Sequence, residues 1–257
     1  MMNKLLLFLL CLFWNKFDSQ QIHVKYLNVR SPIATLYENL YINGTQVISI
    51  QDSIITFNKN MAEGNIVAVA KNTRKISKEY FVSDLNDDPA RDFFFTSYVN
   101  IKDYFIYDKV PKPIWTVLEK ETKKILGYNC IKAEAIFRGS KIVAYFTHEI
   151  PISAGPFKFF GLPGLILDIR VEGKPYDIWR AESIDVDSKE KIGYKPQFLN
   201  KENIKMRDFV EMKEAEINAV FAKTRAALPP DLKVKVEERK RFGVEQIFEW
   251  EITEAEN

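Results

Sequence analysis

The chain has 257 residues, of which 46% are hydrophobic and 28% charged: an ordinary globular composition, long enough for one large domain or two small ones. A formal net charge of +2 leaves no broad basic field for nucleic acid and no acidic tail. With two cysteines and two histidines in all, a disulfide scaffold and a His/Cys zinc site both lack their ligands.

The chain opens MMNKLLLFLLCLFWNKFDSQQIHVKY. Lys4 supplies a positive n-region. Leu5 to Trp14 is an unbroken apolar run of about ten residues, the length of a secretory h-region and too short to cross a bilayer as a helix. Residues 1–20 are therefore expected to be a signal peptide, cut near Ser19 to Gln21, and 21–257 a single domain. Export to the periplasm or outer envelope, or secretion, follows. No other stretch is apolar enough for a transmembrane span. Cys11 follows Leu10 inside the apolar run, an unsuitable context for lipid attachment. Cys130 is then the one remaining thiol and reads as a small buried hydrophobe.

The first half of the chain reads as strands. IHVKYLNV alternates, and two β-rich runs flank Asn43–Gly44, a two-residue hairpin signal that also explains the Asn43–Gly44–Thr45 sequon. A looser stretch follows from Asn58 to Arg91, with a short strand and another around Glu79 to Val82. FFFTSYVNIKDYFIYDKV predicts aromatic strands turning near Lys102–Asp103. The next run predicts three strands with turns near Glu121 to Lys124 and at Gly139–Ser140. LILDIRV and DIWRAESIDV continue the pattern. From Asn200 to Leu228 apolar residues recur at three- and four-residue steps, predicting one helix with Asn200 as N-cap and Pro229–Pro230 as its stop. LKVKVEERK and VEQIFEWEI are expected as closing strands, with Arg239 to Arg241 on a solvated face. The fold class is α+β: a mainly antiparallel, strongly curved sheet with one long helix in the C-terminal half packed on it.

Few residues offer chemistry. His23 lies near the expected mature terminus, and His148 lacks a nucleophile elbow. Asp84, Asn86 and Asp88 have calcium-loop spacing, but Pro89 and Phe95 occupy the required Gly and Glu positions. There is no phosphate-binding glycine motif and no metal or cofactor signature. Glu149 and Asp168 are the first suspects for paired-carboxylate hydrolysis, with nothing in their spacing to set them apart, so no catalytic residue is assigned.

One segment stands out. Gly155 to Ile169 reads GPFKFFGLPGLILDI, with one cation, one carboxylate and otherwise apolar side chains, proline and glycine. Pro163 and Gly164 suit the central positions of a type II turn, and Gly161 permits close approach of backbone or ligand. Together with the preceding ETKKILGYNCIKAEAIFRGSKIVAYFTHEIPISA, this block resembles the GLPGLI family of exported bacterial envelope proteins. The residues that carry the resemblance include Gly127, Tyr128, Cys130, Lys132, Gly155, Pro156, Gly161, Pro163 and Gly164. The resemblance implies export, a mainly β fold, no established activity, and an association with TonB-dependent receptor systems. GYNCIKA is also similar to a strand pattern of LolA-like lipoprotein carriers, which implies a half-barrel closed by helices over an apolar cavity.

Three functions are therefore expected in descending order. The first is a non-enzymatic binding or carrier protein for a lipid or other apolar ligand. The second is an accessory module of a TonB-dependent receptor or other envelope complex, with Phe157, Phe159 and Phe160 as an exposed aromatic patch; these three and Leu162 are the expected ligand or partner contact. The third is the carboxylate-dependent hydrolase.

Overall fold

The computed structural model describes residues 20–32, 34–51, 56–57, 79–86, 89–194, 201–227 and 241–255. The expected signal segment up to residue 19, the strand expected within 58–78, Asp88, the N-cap Asn200, the Pro229–Pro230 stop and the strand at 232–240 lie outside these residues.

Among the described residues, thirteen strands form one sheet. In chain order they are β1 (Ile22–Ser31), β2 (Ala34–Asn43), β3 (Gln46–Gln51), β4 (Thr56–Phe57), β5 (Glu79–Asp84), β6 (Ala90–Val99) and β7 (Lys102–Pro111), then β8 (Thr116–Ile125), β9 (Tyr128–Phe137), β10 (Ser140–Thr147), β11 (Leu165–Val171), β12 (Ile178–Asp185) and β13 (Glu202–Lys205). Two helices follow, α1 (Met206–Ala226) and α2 (Glu249–Ala255). The spatial order is β13-β7-β6-β5-β3-β2-β1-β12-β11-β10-β9-β8, with β4 paired to β2 off this path. Every pairing is antiparallel except β13 with β7. The sheet is open and strongly bent. Irregularities at Lys25/Tyr26, Tyr145/Phe146 and Leu118/Thr122 each add local twist and bend the sheet. The curl is deep enough for Asp108 on β7 to meet Arg138 at the β9–β10 turn, although the two strands are far apart in the order.

The hairpin turns lie one to several residues from their expected positions. At the first hairpin, Asn43 pairs with Gln46, so Gly44–Thr45 forms the loop and only Gly44 has a positive φ, 58°. The turn expected at Lys102–Asp103 is Asn100–Ile101, and that expected at Glu121 to Lys124 is Leu126–Gly127. Arg138–Gly139 makes the third. In all three, both loop residues have positive φ, the pattern whose twist matches the flanking strands. Ile101, Leu126 and Arg138 adopt it without being glycine or asparagine, which is why composition did not mark them.

Two helical expectations also change. The helix begins at Met206 because Glu202–Lys205 is taken by the edge of β7, residue for residue from Tyr104 to Tyr107. Met206 and Val210 are buried against Phe95, Val99, Tyr104 and Ile106, whereas Val220 and Phe221 in the far half are exposed. The closing segment VEQIFEWEI is not a strand. Val244 and Phe248, four residues apart, are its buried pair, and Glu249 starts α2. Glu251 accepts the Phe248 N–H at 2.8 Å, half of a capping box that fixes a helix start.

Candidate functional site

The segment GPFKFFGLPGLI forms a tongue that lies inside the curled sheet. Phe159, Phe160 and Leu162 are 1%, 0% and 1% exposed. Phe159 packs on Phe137 and Trp179, and Phe160 on Phe93, so the tongue joins strands from both arms of the sheet. Arg91 donates to the Ser153 carbonyl at 2.7 Å and lies over the Phe160 ring, while Trp115 donates to the Phe160 carbonyl at 2.9 Å. The expected exposed aromatic patch is therefore packed into the protein's own core, and the concavity of a carrier is filled at this level by phenylalanine. Only Phe157, half-buried, reaches an open space.

The glycines of the motif act by different means from the expected turn. Gly164 has no left-handed φ. A Cβ there would collide with the Thr147 carbonyl, so the residue is needed for the close approach of the tongue to β10. Gly161 carries the positive φ, +95°. At Gly155 a Cβ would lie 3.0 Å from Ile166 Cδ1 and 3.1 Å from the Phe159 carbonyl. Pro156 is buried, and Pro163 is exposed with its carbonyl 3.0 Å from His148 Nδ1. Gly127 turns β8 into β9, where Tyr128 is half-buried and Lys132 lies 2.9 Å from both Glu121 and Glu134. Cys130 is fully buried, and burial pushes its thiol up to about 11, as suits an inert hydrophobe.

The hydrolase suspects are both engaged. Glu149 accepts from the Asn129 backbone N–H at 2.8 Å and from its side chain. Asp168 is buried and faces Lys123 at 3.1 Å, Arg170 at 2.7 Å and Arg180 at 3.8 Å. His23 is ordered on β1, stacked on Tyr41 and 3.0 Å from Asn39.

Two buried charge networks hold the tip of the tongue. In the first, Arg138 grips Asp108 through two nitrogens at 2.8 Å and also pairs with Glu249 at 3.0 Å and with Glu245. Lys158, the tongue's one cation and 1% exposed, reaches Asp108 at 2.6 Å and Glu245 at 2.8 Å. Burial alone would raise the Asp108 carboxyl, but Lys158 and Arg138 outweigh it and hold it down to about 2. In the second network, Glu38 on β2 is 0% exposed, and its partners among the described residues are all neutral. Ser49 donates at 2.6 Å, Trp179 Nε1 at 2.9 Å, Gln51 at 3.0 Å and Asn28 at 3.4 Å, and the Phe157 backbone N–H completes the set. All are donors, the complement that an acceptor-only carboxylate takes. Phe157 is held there with φ of 54°, a strained setting for a bulky residue.

Between these networks is a cavity of about 160 Å³. Four residues tied to Glu38 line it: Asn28, Gln51, Phe157 and Trp179. Arg30, Glu79, Asp177 and Glu245 add charge, and Phe81 and Phe242 add rings. Burial pushes the Glu79 carboxyl above its ordinary value; Arg30 opposes this and Glu38 adds to it. Burial likewise raises Asp177, against the pull of Lys174 at 3.2 Å. Among the described residues, the side-chain oxygen Oδ1 of Asn28 is buried without a hydrogen-bond partner. A second groove, about 390 Å³ and more apolar, runs past Val110, Pro113, Ile114, Ile136 and Phe137. Among the described residues no cluster of His, Cys, Asp and Glu could hold a metal ion, and no helix is long and apolar enough to cross a membrane.

Of the cavity residues only Phe157 belongs to the contact expected from sequence, yet the sequence carries a signal for the others. Leu36, Glu38, Leu40 and Ile42 alternate on one buried face, as do Val24, Tyr26 and Asn28, and Tyr104, Ile106, Asp108 and Val110. A polar residue at an inward position of an apolar alternation marks a buried polar site.

A family model described as a protein of unknown function (Porph_ging) matches residues 134–168, from within β9 through the tongue into β11. No curated protein matches. Among solved structures the chain is similar to PNGF-II in two crystal forms, space groups C2 and P21, at 16% identity and a TM-score of 0.48 in each. The match covers 77% of this chain and 33% or 34% of the PNGF-II chain, so the protein spans about a third of the length of the structures it matches.

Proposed function

We propose that this protein is a non-enzymatic binding protein of the bacterial envelope and that its ligand enters the small polar cavity beside Glu38. Export is the expectation of the N-terminal sequence and of the resemblance to the GLPGLI family. The observation that carries the binding role is the Glu38 network itself. A fully buried carboxylate fixes four cavity-lining residues through hydrogen bonds and holds one of them, Phe157, in a strained backbone conformation. Preorganised polar groups with aromatic walls are what small-molecule sites are made of. A lipid or acyl chain is the less favoured ligand, because the tongue's own side chains occupy the interior of the curl.

The accessory-module reading stays second. It draws on the apolar groove, beside which Ile114 is 90% exposed and Ile136 64% exposed.

Native mass spectrometry on protein released gently from its envelope tests both. A retained small polar mass, lost in a Glu79→Trp variant that fills the cavity mouth, is the expected result. A retained acyl-chain mass, or a bare chain, overturns the reading. A stoichiometric protein companion lost on Ile114→Asp replaces it with the second.

A further inference from the structure

What the cavity lacks is specific. The Asn28 carbonyl oxygen is an acceptor with no donor, on a side chain that is 1% exposed and whose amide nitrogen is committed to Glu38. Glu79 and Asp177 are carboxylates at its wall, with Glu38 directly behind. Four rings, Phe81, Phe157, Trp179 and Phe242, present their faces or edges around it. The orphaned oxygen calls for a hydrogen-bond donor, the two carboxylates call for positive charge, and ring faces accommodate a cation, with Arg30 as the cation of the lining.

The cations already nearby are committed elsewhere or sit at the rim. Lys158 is shared between Glu245 and Asp108, and Lys174 serves Asp177 at 3.2 Å. Lys213, which also acts on Glu79, is held at 3.0 Å by Glu216. Arg30 is 48% exposed and 3.8 Å from Glu79, with its closer bond, 3.1 Å, to Gln51. Among the described residues, the partners of Glu38 include no cation.

We propose that the cavity recognises a small organic cation, a primary ammonium group on a short carbon chain, with the nitrogen between Asn28, Glu79 and Asp177 and the methylenes against the aromatic walls. This rests on the binding reading above and names its ligand class. Size agrees: a cavity of about 150 Å³ suffices for benzene, so the about 160 Å³ here holds a butylamine. Water could satisfy Asn28, but it brings neither charge nor contact for the rings.

The test titrates three probes of matched size, butylammonium chloride, butan-1-ol and sodium butyrate, at constant ionic strength. The readouts are the NMR signals of the Trp179 indole N–H and the Phe157 backbone N–H, both bonded to Glu38 under the cavity. Saturable shifts are expected with butylammonium alone. Glu79→Gln and Asp177→Asn should each weaken its binding about tenfold, the worth of one charged hydrogen bond. Asparagine tolerates the positive φ of 56° at position 177, so that variant adds no backbone strain. If butanol or butyrate saturates the same signals as tightly, the cation inference fails while the binding site stands. If none of the three moves them, the binding reading itself fails. If butylammonium binds equally well to both variants, the cation sits elsewhere and the inference is overturned.

Discussion

The two charge networks that flank the tongue tip differ in one respect, and the difference separates architecture from function. Around Asp108, every buried charge meets an opposite charge: Arg138 and Lys158 are answered by Asp108, Glu245 and Glu249 at hydrogen-bonding distances. That network joins β7, the β9–β10 turn, the tongue and the C-terminal segment, and it leaves no demand unmet. Around Glu38, the partners are neutral donors, an acceptor on Asn28 is orphaned, and the adjoining Glu79 and Asp177 are pushed toward protonation by burial. A closed network holds the curl of the open sheet in place. One with residual demand is where a ligand has something to offer.

The sharpest way to break the comparison is to remove Asp108. Asp108→Ala leaves Arg138 and Lys158, with side chains 2% and 1% exposed, short of their shared partner. Breaking a buried pair on one side costs about 3–5 kcal/mol, which urea denaturation should read as a large drop in midpoint. The pH dependence has a fixed sign. The Asp108 carboxyl lies below its ordinary 3.8, so its stabilisation is complete above that value and is lost as pH falls toward about 2. The deficit of Asp108→Asn against wild type should therefore stay constant from neutral pH to about 4 and shrink below it. A deficit already shrinking at pH 6 would show that the pair is not what stabilises this arm.

Glu38→Gln should cost less, about 1–3 kcal/mol. The amide keeps its one acceptor where Asn28, Gln51 and Trp179 donate and turns its NH2 toward the Ser49 hydroxyl, which can rotate to accept, and the Phe157 N–H, which cannot. Its second effect matters more to function. Phe157 loses the bond that holds its strained backbone, so amide exchange at Phe157 should accelerate while that at Ile166, deep in β11, stays protected. Equal protection at Phe157 in both proteins would mean that Glu38 does not set the tongue tip.

The sheet was legible because period-2 alternation survives in almost every strand, and the helix because its apolar steps are long. What failed did so for local reasons. Asn43–Gly44 is a strong hairpin signal, but pairing of Asn43 with Gln46 pushed the loop one residue on. At VEQIFEWEI, alternation suggested a strand, whereas the buried pair Val244 and Phe248 and the Glu251 cap belong to a chain turning into a helix. Gly164 looked like a turn glycine and is a packing glycine, a distinction that depends on where the Thr147 carbonyl sits. The cavity was the hardest to see, because its residues come from β1, β3, β5, β12 and the turn before it, the tongue and the C-terminal segment. Only the inward-facing Asn28 and Glu38 announce it in sequence, and neither says with whom it is paired.

Glu79 gives the finest test of the contrast. Its side chain is 37% exposed, so the effect is modest, but its sign is opposite to that of Asp108. Burial raises the folded-state carboxyl above the ordinary 4.5, so the folded protein holds this proton more tightly than the unfolded chain does. The resulting stabilisation is complete below 4.5 and is lost as pH rises through the raised value. Glu79→Gln, which cannot lose a proton, should therefore gain on wild type between pH 4 and pH 7 when both are followed by thermal unfolding. A gain that vanishes when butylammonium is added would tie the surplus charge to the cation. A variant that loses ground over the same interval would show Arg30 to be partner enough for Glu79, and the demand for positive charge in this cavity would then rest on Asp177 and Asn28 alone.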